Sequence, residues 1–202
     1  GELSLAHGGV LFLDELPESS RDAMEVLRQP IEDGTISISR VRATLRYPCD
    51  VMVIAAMNPC PCGYYGHPTK PCICSPSKIA RYLSKVSGPL LDRLDLHVEV
   101  MPVGYDSIAS STPSEPSSAI RERVNRAREI QRDRYQAEGF SVNAHLVPGT
   151  LARYCPLSAE ADRMMRAAFD RMGLSGRGYD RILKIARTIA DLEGDSQIAT
   201  AH

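Results

Sequence analysis

The fold is decided by the stretch GVLFLDE, which occupies residues 9–15 and sets four apolar residues directly before two acidic ones. A second apolar run, VMVIAAM at residues 51–57, ends at Asn58. Runs that are apolar on both faces are typical of central strands in a parallel sheet covered on both sides. The residues between the two runs show helical spacing behind a Ser-rich cap. The sequence therefore predicts a strand–helix–strand unit of an α/β fold, and we expect a further strand at residues 96–101.

The overall composition excludes several classes of protein. Of the 202 residues 43% are hydrophobic, and 24 Lys and Arg residues nearly balance 25 Asp and Glu residues. These values are typical of a soluble protein of one or two domains. The longest apolar run, at residues 51–57, is far shorter than the roughly 20 residues of a membrane helix, so we expect no membrane segment. The net charge of −1 argues against a globally basic nucleic-acid binder but allows a local basic patch.

A β-hairpin is predicted within the strand–helix–strand unit. Residues 35–39 alternate strictly between polar and apolar side chains, and residues 41–47 do so again, with the turn expected near Ser39 and Arg40. The alternation predicts one polar hairpin face that carries three arginines: Arg40, Arg42 and Arg46. Two interpretations of this face remain open, a solvated surface and a surface that contacts nucleic-acid phosphates.

The second half of the chain is predicted to be helical. A Ser- and Pro-rich linker divides the chain, so we expect domains at residues 1–104 and 119–202 joined by residues 105–118. Three helices follow, one of them running from the Ser158 cap to Gly173 and another starting at the Ser175 cap. Residues 198–202 are typical of the start of a further helix. The side chains predicted to face the core are Ile120, Val124, Ala127, Ile130, Ala161, Met164, Ala168, Met172, Tyr179, Ile182, Ala186, Ile189 and Ala190.

Four of the six cysteines form two Cys-x-Cys pairs within fifteen residues, namely Cys60, Cys62, Cys72 and Cys74. The chain is too large and too poor in cysteine elsewhere for a secreted disulfide scaffold, so we expect a reducing cytoplasm. Four thiolates suit a tetrahedral Zn²⁺ site, with His67 as an alternative fourth ligand. Because the usual zinc pair is Cys-x-x-Cys, free or redox-active thiols and disulfides remain alternatives.

Polar side chains follow both strands of the predicted unit. At the carboxyl end of a parallel strand, side chains project into the ligand crevice. Asp14 is therefore a candidate for holding Mg²⁺, and Glu15 is a candidate for polarising an attacking water. Asn58 ends the neighbouring strand and is placed to orient that water or to contact a phosphate. Acidic residues at strand ends are common, so the pattern gains weight only because both strands end in this way.

Several segments resemble AAA+ ATPases. Residues 9–15 resemble a Walker B strand, residues 55–59 resemble a sensor 1 strand, and residues 90–96 resemble the arginine-finger segment of the helix-2-insert branch. That branch includes MCM helicases and magnesium chelatase. Together with NPCPCGYYG at residues 58–66 and SGP at residues 87–89, these motifs resemble the magnesium-chelatase-like YifB/ComM family. The resemblance covers nearly the whole chain and keeps the order of the family's motifs.

The resemblance implies a partial AAA+ core followed by an all-α lid domain, with ATP and Mg²⁺ as cofactors. It assigns Walker B to Asp14 and Glu15, and sensor 1 to Asn58. Arg93 would act as an arginine finger that reaches the nucleotide of a neighbouring subunit. An ion pair of Arg93 with Asp92 or Asp95 is the structural alternative. Sensor 2, the other nucleotide-contacting arginine, falls to Arg177 or to Arg181, which could also be surface arginines.

The implied activity is ATP hydrolysis by a cytoplasmic ring motor, expected to be hexameric. It would act on DNA as a helicase in branch migration and recombination during natural transformation, with Arg40, Arg42 and Arg46 in the pore. A chelatase-type chaperone that remodels a protein partner is the alternative. The P-loop pattern ends in Gly-Lys, and no Gly-Lys dipeptide occurs in the sequence. We therefore expect the sequence to be part of a longer protein whose Walker A lies upstream, and the chain alone to be a catalytically inactive binding module.

Overall fold

The computed structural model describes residues 1–40, 43–105, 109 and 113–202, and for Arg40 only the backbone. The chain forms two compact units, Gly1–Gly104 and Tyr105–His202, which are treated separately below. None of the helices in the described residues is both long and apolar enough to cross a membrane.

The first unit mixes helices and strands. Its elements are α1 (Glu2–Leu5), β1 (Val10–Leu13), α2 (Arg21–Asp33), β2 (Thr35–Arg40), β3 (Ala43–Pro48), β4 (Met52–Ala55), α3 (Pro76–Leu83) and α4 (Gly88–Leu91). Strand β1 pairs with β4 in parallel, from Val10 opposite Met52 to Leu13 opposite Ala55. The predicted strand–helix–strand unit is therefore confirmed.

Helix α2 connects the two strands and covers one face of their sheet. The Ser20 side chain caps its start by accepting from the backbone N–H of Ala23 at 3.2 Å, and Gly34 ends it in a left-handed conformation with φ 62°. Leu16, Met24, Val86 and Leu90 form the buried core beneath the sheet. The other face exposes Val10, Phe12, Met52 and Ile54. The described residues thus cover one face of the sheet, whereas the sequence predicts cover on both.

The strand expected at residues 96–101 is not formed within the described residues. This segment has no strand partner there, and its apolar side chains Leu96, Val98 and Val100 are exposed. A strand is stabilised by ladder hydrogen bonds to a neighbour, so β-favouring composition alone does not form one. The prediction of a third strand is therefore wrong for this structure.

The hairpin of β2 and β3 forms, but its register changes the predicted distribution of arginines. Arg40 pairs with Ala43 and Ser39 pairs with Thr44, so the two residues at which the turn was predicted belong to β2 itself. Ser37 pairs with Arg46. An odd-numbered residue of β2 therefore opposes an even-numbered residue of β3, and positions 40 and 46 belong to opposite faces because side chains alternate along each strand. The prediction that Arg40, Arg42 and Arg46 share one polar face is therefore wrong for Arg40 and Arg46. Arg42 lies outside the described residues.

The second unit is helical, with α5 (Ser117–Arg134), α6 (Pro148–Tyr154), α7 (Ala159–Met172) and α8 (Gly176–Glu193). Its core joins α6 and α8 to the segments around them through Tyr135, Leu146, Leu151, Tyr154, Cys155, Leu183, Ala186 and Ile198. Helix α6 was not predicted. The predicted helix start at residues 198–202 is wrong: Ile198 bridges to Leu157, and the backbone N–H of His202 closes a turn onto the carbonyl of Ala199.

The ends of α7 and α8 agree with the sequence better than their buried faces do. Ser158 and Ser175 cap the two helices as predicted, and Gly173 ends α7. Met164 and Met172, however, are 60% and 70% exposed. Helix α7 carries apolar residues around much of its circumference, and Met165 takes the place against the core. In α5 and α8 the predicted core residues Ile120, Val124 and Ile182 are likewise exposed.

A buried ion cluster joins α5 to α8. Asp191, whose side chain is fully buried, accepts hydrogen bonds from Arg134, Arg187 and Asn143. Arg187 is also fully buried and donates to the carbonyl of Ser196 at 2.8 Å. Burial acts to raise the pKa of Asp191, but the hydrogen bonds from Arg134 and Asn143 and the two arginine charges outweigh it, so this pKa lies below its usual value.

We expect the substitution Asp191→Asn to lower the free energy of unfolding of the second unit by about 3 to 5 kcal/mol, because it leaves the buried Arg187 and the partly buried Arg134 without a counter-charge. Urea titration at neutral pH measures this. The matched control is Asp162→Asn, which removes the exposed partner of Arg166 and is expected to cost less than about 1 kcal/mol.

A depressed carboxyl pKa contributes stability that is lost as the pH falls through the folded-state pKa. The difference between the wild-type protein and Asp191→Asn should therefore shrink when the titration is repeated below about pH 3.8, the ordinary Asp value. Equal losses for the two variants at neutral pH would contradict a stabilising role for the cluster.

Candidate functional site

The pairing of β1 with β4 extends beyond the strands and brings their polar ends to one edge. The backbone N–H of Ala56 donates to the carbonyl of Leu13 at 2.8 Å, and the N–H of Leu16 donates to the carbonyl of Ala56 at 3.0 Å. Asp14 and Glu15 therefore follow β1 at the level where Asn58 follows β4. All three side chains are exposed. The edge offers two carboxylates and one amide to a ligand, as the sequence predicts, while their catalytic roles remain predictions.

Glu15 has a strained backbone. Its φ is 49°, the left-handed region, and it is the one residue other than glycine with a positive φ in the described chain. Such a conformation costs on the order of 1 kcal/mol for a residue with a side chain. Asp14 supports the turn, since its Oδ1 accepts from the N–H of Glu15 at 2.9 Å. Strain of this kind concentrates at functional sites, and it therefore supports a functional role for Asp14 and Glu15.

Oxygen chemistry makes the same pair suitable for Mg²⁺. Mg²⁺ prefers oxygen ligands and is typically held through one or two carboxylates together with substrate phosphates and water. Asp14 and Glu15 supply two exposed carboxylates. The donor set therefore fits this ion.

Tyr82 of α3 supports Asn58 and was not predicted. Its ring is buried, and its hydroxyl shares a hydrogen bond with the backbone of Asn58. Burial and the charges of Glu18 and Glu15 raise the Tyr82 pKa, although the bond to Asn58 acts to lower it. The phenol thus stays neutral and ties α3 to the strand end. Spacing from Ile79 could have indicated burial of Tyr82, but not its hydrogen-bond partner.

Arg93 is held within its own unit. It follows α4, its Nε donates to Glu32 Oε2 at 3.0 Å, and its Nη1 donates to the carbonyl of Pro89 at 2.6 Å. The side chain is 16% exposed. The described structure therefore pairs Arg93 with Glu32 of α2, not with Asp92 or Asp95, the partners considered from the sequence.

The remaining predicted arginines lie on α8 and on the hairpin. Arg177 lies in the first turn of α8 and is exposed, and Arg181 lies one turn further on and is half-buried. Both belong to the second unit, whereas the strand-end carboxylates belong to the first. Arg46 of β3 is exposed. Arg46 is thus the hairpin arginine whose side chain the structure describes.

The four clustered cysteines converge in one loop. Their Sγ atoms all lie within 4.8 Å of one another, and all six cysteines of the chain are free thiols. The Sγ of Cys60 lies 3.4 Å from that of Cys62 and 3.7 Å from that of Cys72, and Cys62 and Cys72 are 3.6 Å apart. A tetrahedral zinc with bonds of about 2.3 Å requires sulfur separations of about 3.8 Å. The loop is therefore shaped like a Cys₄ zinc site.

His67 is not part of this group. Its Nδ1 accepts from the backbone N–H of Thr69 at 3.1 Å and of Lys70 at 3.0 Å. The ring thereby organises the tip of the loop, and the four sulfurs converge without it. The alternative in which His67 serves as fourth ligand is not supported by this geometry.

The environment of the cysteines separates their pKa values. Backbone N–H groups of Tyr64 and Ile73 donate to the sulfur of Cys62 and lower its pKa to about 6. The amide of Cys74 acts to lower the pKa of Cys72, yet burial and the neighbouring thiols of Cys62 and Cys60 raise it to about 12. Amide donors of this kind stabilise thiolates, which are the metal-binding form of cysteine.

A second group of potential ligands lies at the end of the second unit. His202 Nε2 is 3.1 Å from Glu193 Oε2 and 3.3 Å from Asp195 Oδ2. Its Nδ1 accepts from the backbone N–H of Ala199 at 2.9 Å. Both nitrogens of His202 thus contact groups of the protein. These contacts alone explain why Glu193, Asp195 and His202 lie together.

Comparison with known proteins gives consistent matches over the chain. Residues 1–108 match the family model of magnesium chelatase, subunit ChlI, and residues 114–202 match that of its C-terminal part. The chain is 44% identical over its full length to competence protein ComM of Haemophilus influenzae and 43% identical to the uncharacterized protein YifB of Escherichia coli. It spans 39% of the length of each of these relatives. It is also 26% identical to the magnesium-chelatase 38 kDa subunit of Acidiphilium rubrum, of which it covers 51%.

In metal-free protein, we expect alkylation to distinguish Cys62 from Cys72. The thiolate of Cys62 should be half-formed near pH 6 and increase above it, so iodoacetamide should label this residue at neutral pH, whereas Cys72 should stay unlabelled below about pH 11. Mass spectrometry of peptides from a pH series measures both profiles. Buried Cys155, whose pKa burial raises to about 11, is the internal control. A common midpoint near pH 9 for all of them would contradict the amide-stabilised Cys62 thiolate.

Proposed function

The chain belongs to the magnesium chelatase subunit ChlI family, among proteins like ComM and YifB, and on this premise we propose that it supplies the water-activating part of an AAA+ ATPase site. The observation that carries the proposal is the parallel pairing of β1 with β4. This pairing sets Asp14, Glu15 and Asn58 at one sheet edge, where ligands of α/β proteins bind.

Each residue at this edge has a distinct proposed role. Asp14 holds Mg²⁺, which when bound neutralises charge on the phosphate oxygens. Glu15 accepts a proton from the attacking water, for which its exposed carboxylate and its turn away from β1 are suited. Asn58 orients that water through its amide. Tyr82 keeps Asn58 in place through the backbone hydrogen bond described above.

ATP binding also requires a phosphate-binding loop. No Gly-Lys dipeptide occurs among the 202 residues, and the chain spans 39% of the length of ComM and YifB. In the proposed enzyme the loop therefore comes from a segment outside this sequence. For the 202 residues alone we propose little or no ATP affinity.

Arg93 is proposed to complete the site of a neighbouring subunit in a ring, for which we favour six members. Its partner Glu32 is 35% exposed, so the pair is not sealed from solvent. A triphosphate carries more charge than one carboxylate and can replace Glu32. Arg177 and Arg181 are the alternative candidates for sensor 2 at the start of α8.

The proposed substrate of the motor is DNA, with branch migration during recombination in natural transformation as the activity. Two observations support this: the relative ComM is a competence protein by name, and Arg46 is exposed on the hairpin. Arg40 and Arg42 remain proposed DNA contacts from the sequence. The alternative, a chelatase-type chaperone that remodels a protein, is supported by the 26% identity to a magnesium-chelatase subunit.

We expect Glu15→Gln in the intact protein to reduce ATP hydrolysis about 100-fold or more while ATP binding is retained, because the amide cannot accept the proton of the water. Phosphate release and nucleotide binding measure the two effects. The matched control is Glu18→Gln, which removes a neighbouring carboxylate paired with Lys85 and should leave hydrolysis within about twofold.

Equal activity of Glu15→Gln and wild type would remove the catalytic assignment. Stimulation of wild-type hydrolysis by DNA separates the two candidate functions, because the motor requires it and the chaperone does not.

We further propose that Cys60, Cys62, Cys72 and Cys74 bind one structural Zn²⁺. Support comes from the sulfur separations and from the backbone N–H groups directed at the sulfurs. Zinc would fix the loop that begins two residues after Asn58. Its contribution is structural, because four thiolates leave no open coordination position.

Protein purified without chelators should contain about one equivalent of zinc by elemental analysis, and Cys72→Ser should lower that amount because one ligand is lost. Cys155→Ser is the control, since that thiol is buried in the other unit. Replacement by Co²⁺ should give the intense sulfur-to-metal absorption of a tetrahedral thiolate site. Less than half an equivalent of zinc in the wild-type protein would overturn this proposal.

A further inference from the structure

The segment around the cysteine loop has an unusual charge. Residues 51–91 contain four Lys and Arg residues and no Asp or Glu, whereas the whole chain carries a net charge of −1. Lys85 is neutralised by Glu18. In the part of the chain that the structure describes, no carboxylate pairs with the other three, Lys70, Lys78 and Arg81. The segment therefore carries a net positive charge within an otherwise balanced protein.

Aromatic side chains are exposed within the same segment. Tyr65 is 55% exposed and Tyr64 is 39% exposed, both at the tip of the loop that runs from Cys60 to Cys74. The Lys70 ammonium lies 5.2 Å from the centre of the Tyr64 ring, and His67 packs against the same ring edge to face. A cation and an aromatic face are therefore held together before any ligand binds.

Helix α3 belongs to the same segment. It begins at Pro76, two residues after Cys74, and Ser75 caps it by accepting from the N–H of Lys78. Lys78 and Arg81 are three residues apart and share one exposed face, while Ile79 and Tyr82 are buried on the opposite face. The loop and the helix face thus present cations and aromatic rings over one continuous stretch of chain.

We propose that the loop Cys60–Cys74 and the exposed face of α3 bind single-stranded nucleic acid. Tyr65 stacks on a base, and Lys70, Lys78 and Arg81 contact phosphates. Aromatic rings combined with a cationic surface are the usual means of binding single strands without sequence preference. A duplex offers its phosphates but not its base faces, so the tyrosines favour the single strand. The inference rests on the proposed action on DNA and adds a contact surface separate from the hairpin.

The position of this surface gives binding a route to the strand-end residues. Cys60 follows Asn58 by two residues, and α3 also carries Tyr82, whose hydroxyl bonds to the Asn58 backbone. The bound strand would therefore rest on the two elements that hold Asn58.

The test measures binding of a labelled oligothymidylate to the intact protein by fluorescence anisotropy over a series of salt concentrations. Tyr65→Ser should raise Kd about fivefold to a hundredfold with an unchanged salt dependence, and Tyr65→Phe should restore affinity because the ring is kept. Tyr105→Ser, which removes an exposed tyrosine outside the surface, is the matched control and should leave Kd unchanged.

The charge contribution is tested separately. Lys78→Gln combined with Arg81→Gln should reduce the slope of log Kd against log salt by about 1.4, because each phosphate contact on a single strand contributes about 0.7. Arg126→Gln combined with Arg132→Gln removes the same charge from α5, where both arginines are paired with glutamates, and should leave the slope unchanged. Retained helical circular dichroism confirms that each variant is folded.

Three results would overturn the inference: unchanged binding by both surface variants, an equal loss in the α5 control, or duplex DNA bound as tightly as the single strand with no dependence on Tyr65. The proposed function fails independently. Loss of binding in Arg46→Ala alone would assign the DNA contact to the hairpin and not to this surface. Absence of ATP hydrolysis in the wild-type protein would reject the ATPase while leaving the binding result intact.

Discussion

The first unit depends on the parallel register between β1 and β4. Two strands that run in the same direction need a crossover, and α2 supplies it while covering one face of the sheet. The same register brings Asp14 and Asn58 to one edge, although 43 residues separate them in the sequence. A slip of one strand by one residue would turn either Leu13 or Ala55 away from the core. The packing of Leu13 and Ala55 against the core therefore determines which polar groups meet at the edge.

The elements with strong local signals were predictable. Apolar runs of four and seven residues predicted β1 and β4. Ser and Gly predicted the ends of α2 and α7, because caps and left-handed glycines depend on the residue itself. The faces of the helices were less predictable. Both Met164 and Met165 of α7 are apolar, and spacing alone does not say which one the neighbouring segments will cover. In the structure, Met165 packs against the core of the second unit, and Met164 is exposed.

The candidate site divides in the same way. Asp14, Glu15 and Asn58 could be proposed from the sequence because they directly follow the two apolar runs that predict strands. Tyr82 could not, since its role depends on a hydrogen bond between segments 24 residues apart. The pairing of Arg93 with Glu32 and the buried cluster of Asp191 likewise join residues distant in the sequence. Long polar side chains find partners through tertiary packing, and no periodic pattern records those contacts.

The hairpin register has a consequence for how such chains diverge. Two residues separate Arg40 from Ala43, and this number sets which residues of the two strands share a face. In a relative whose β3 paired one residue out of this register, the arginines of β3 would lie on the opposite face relative to β2, even with an identical arginine count. The hairpin register can therefore change the distribution of charge between the two faces without any change in the number of charged residues.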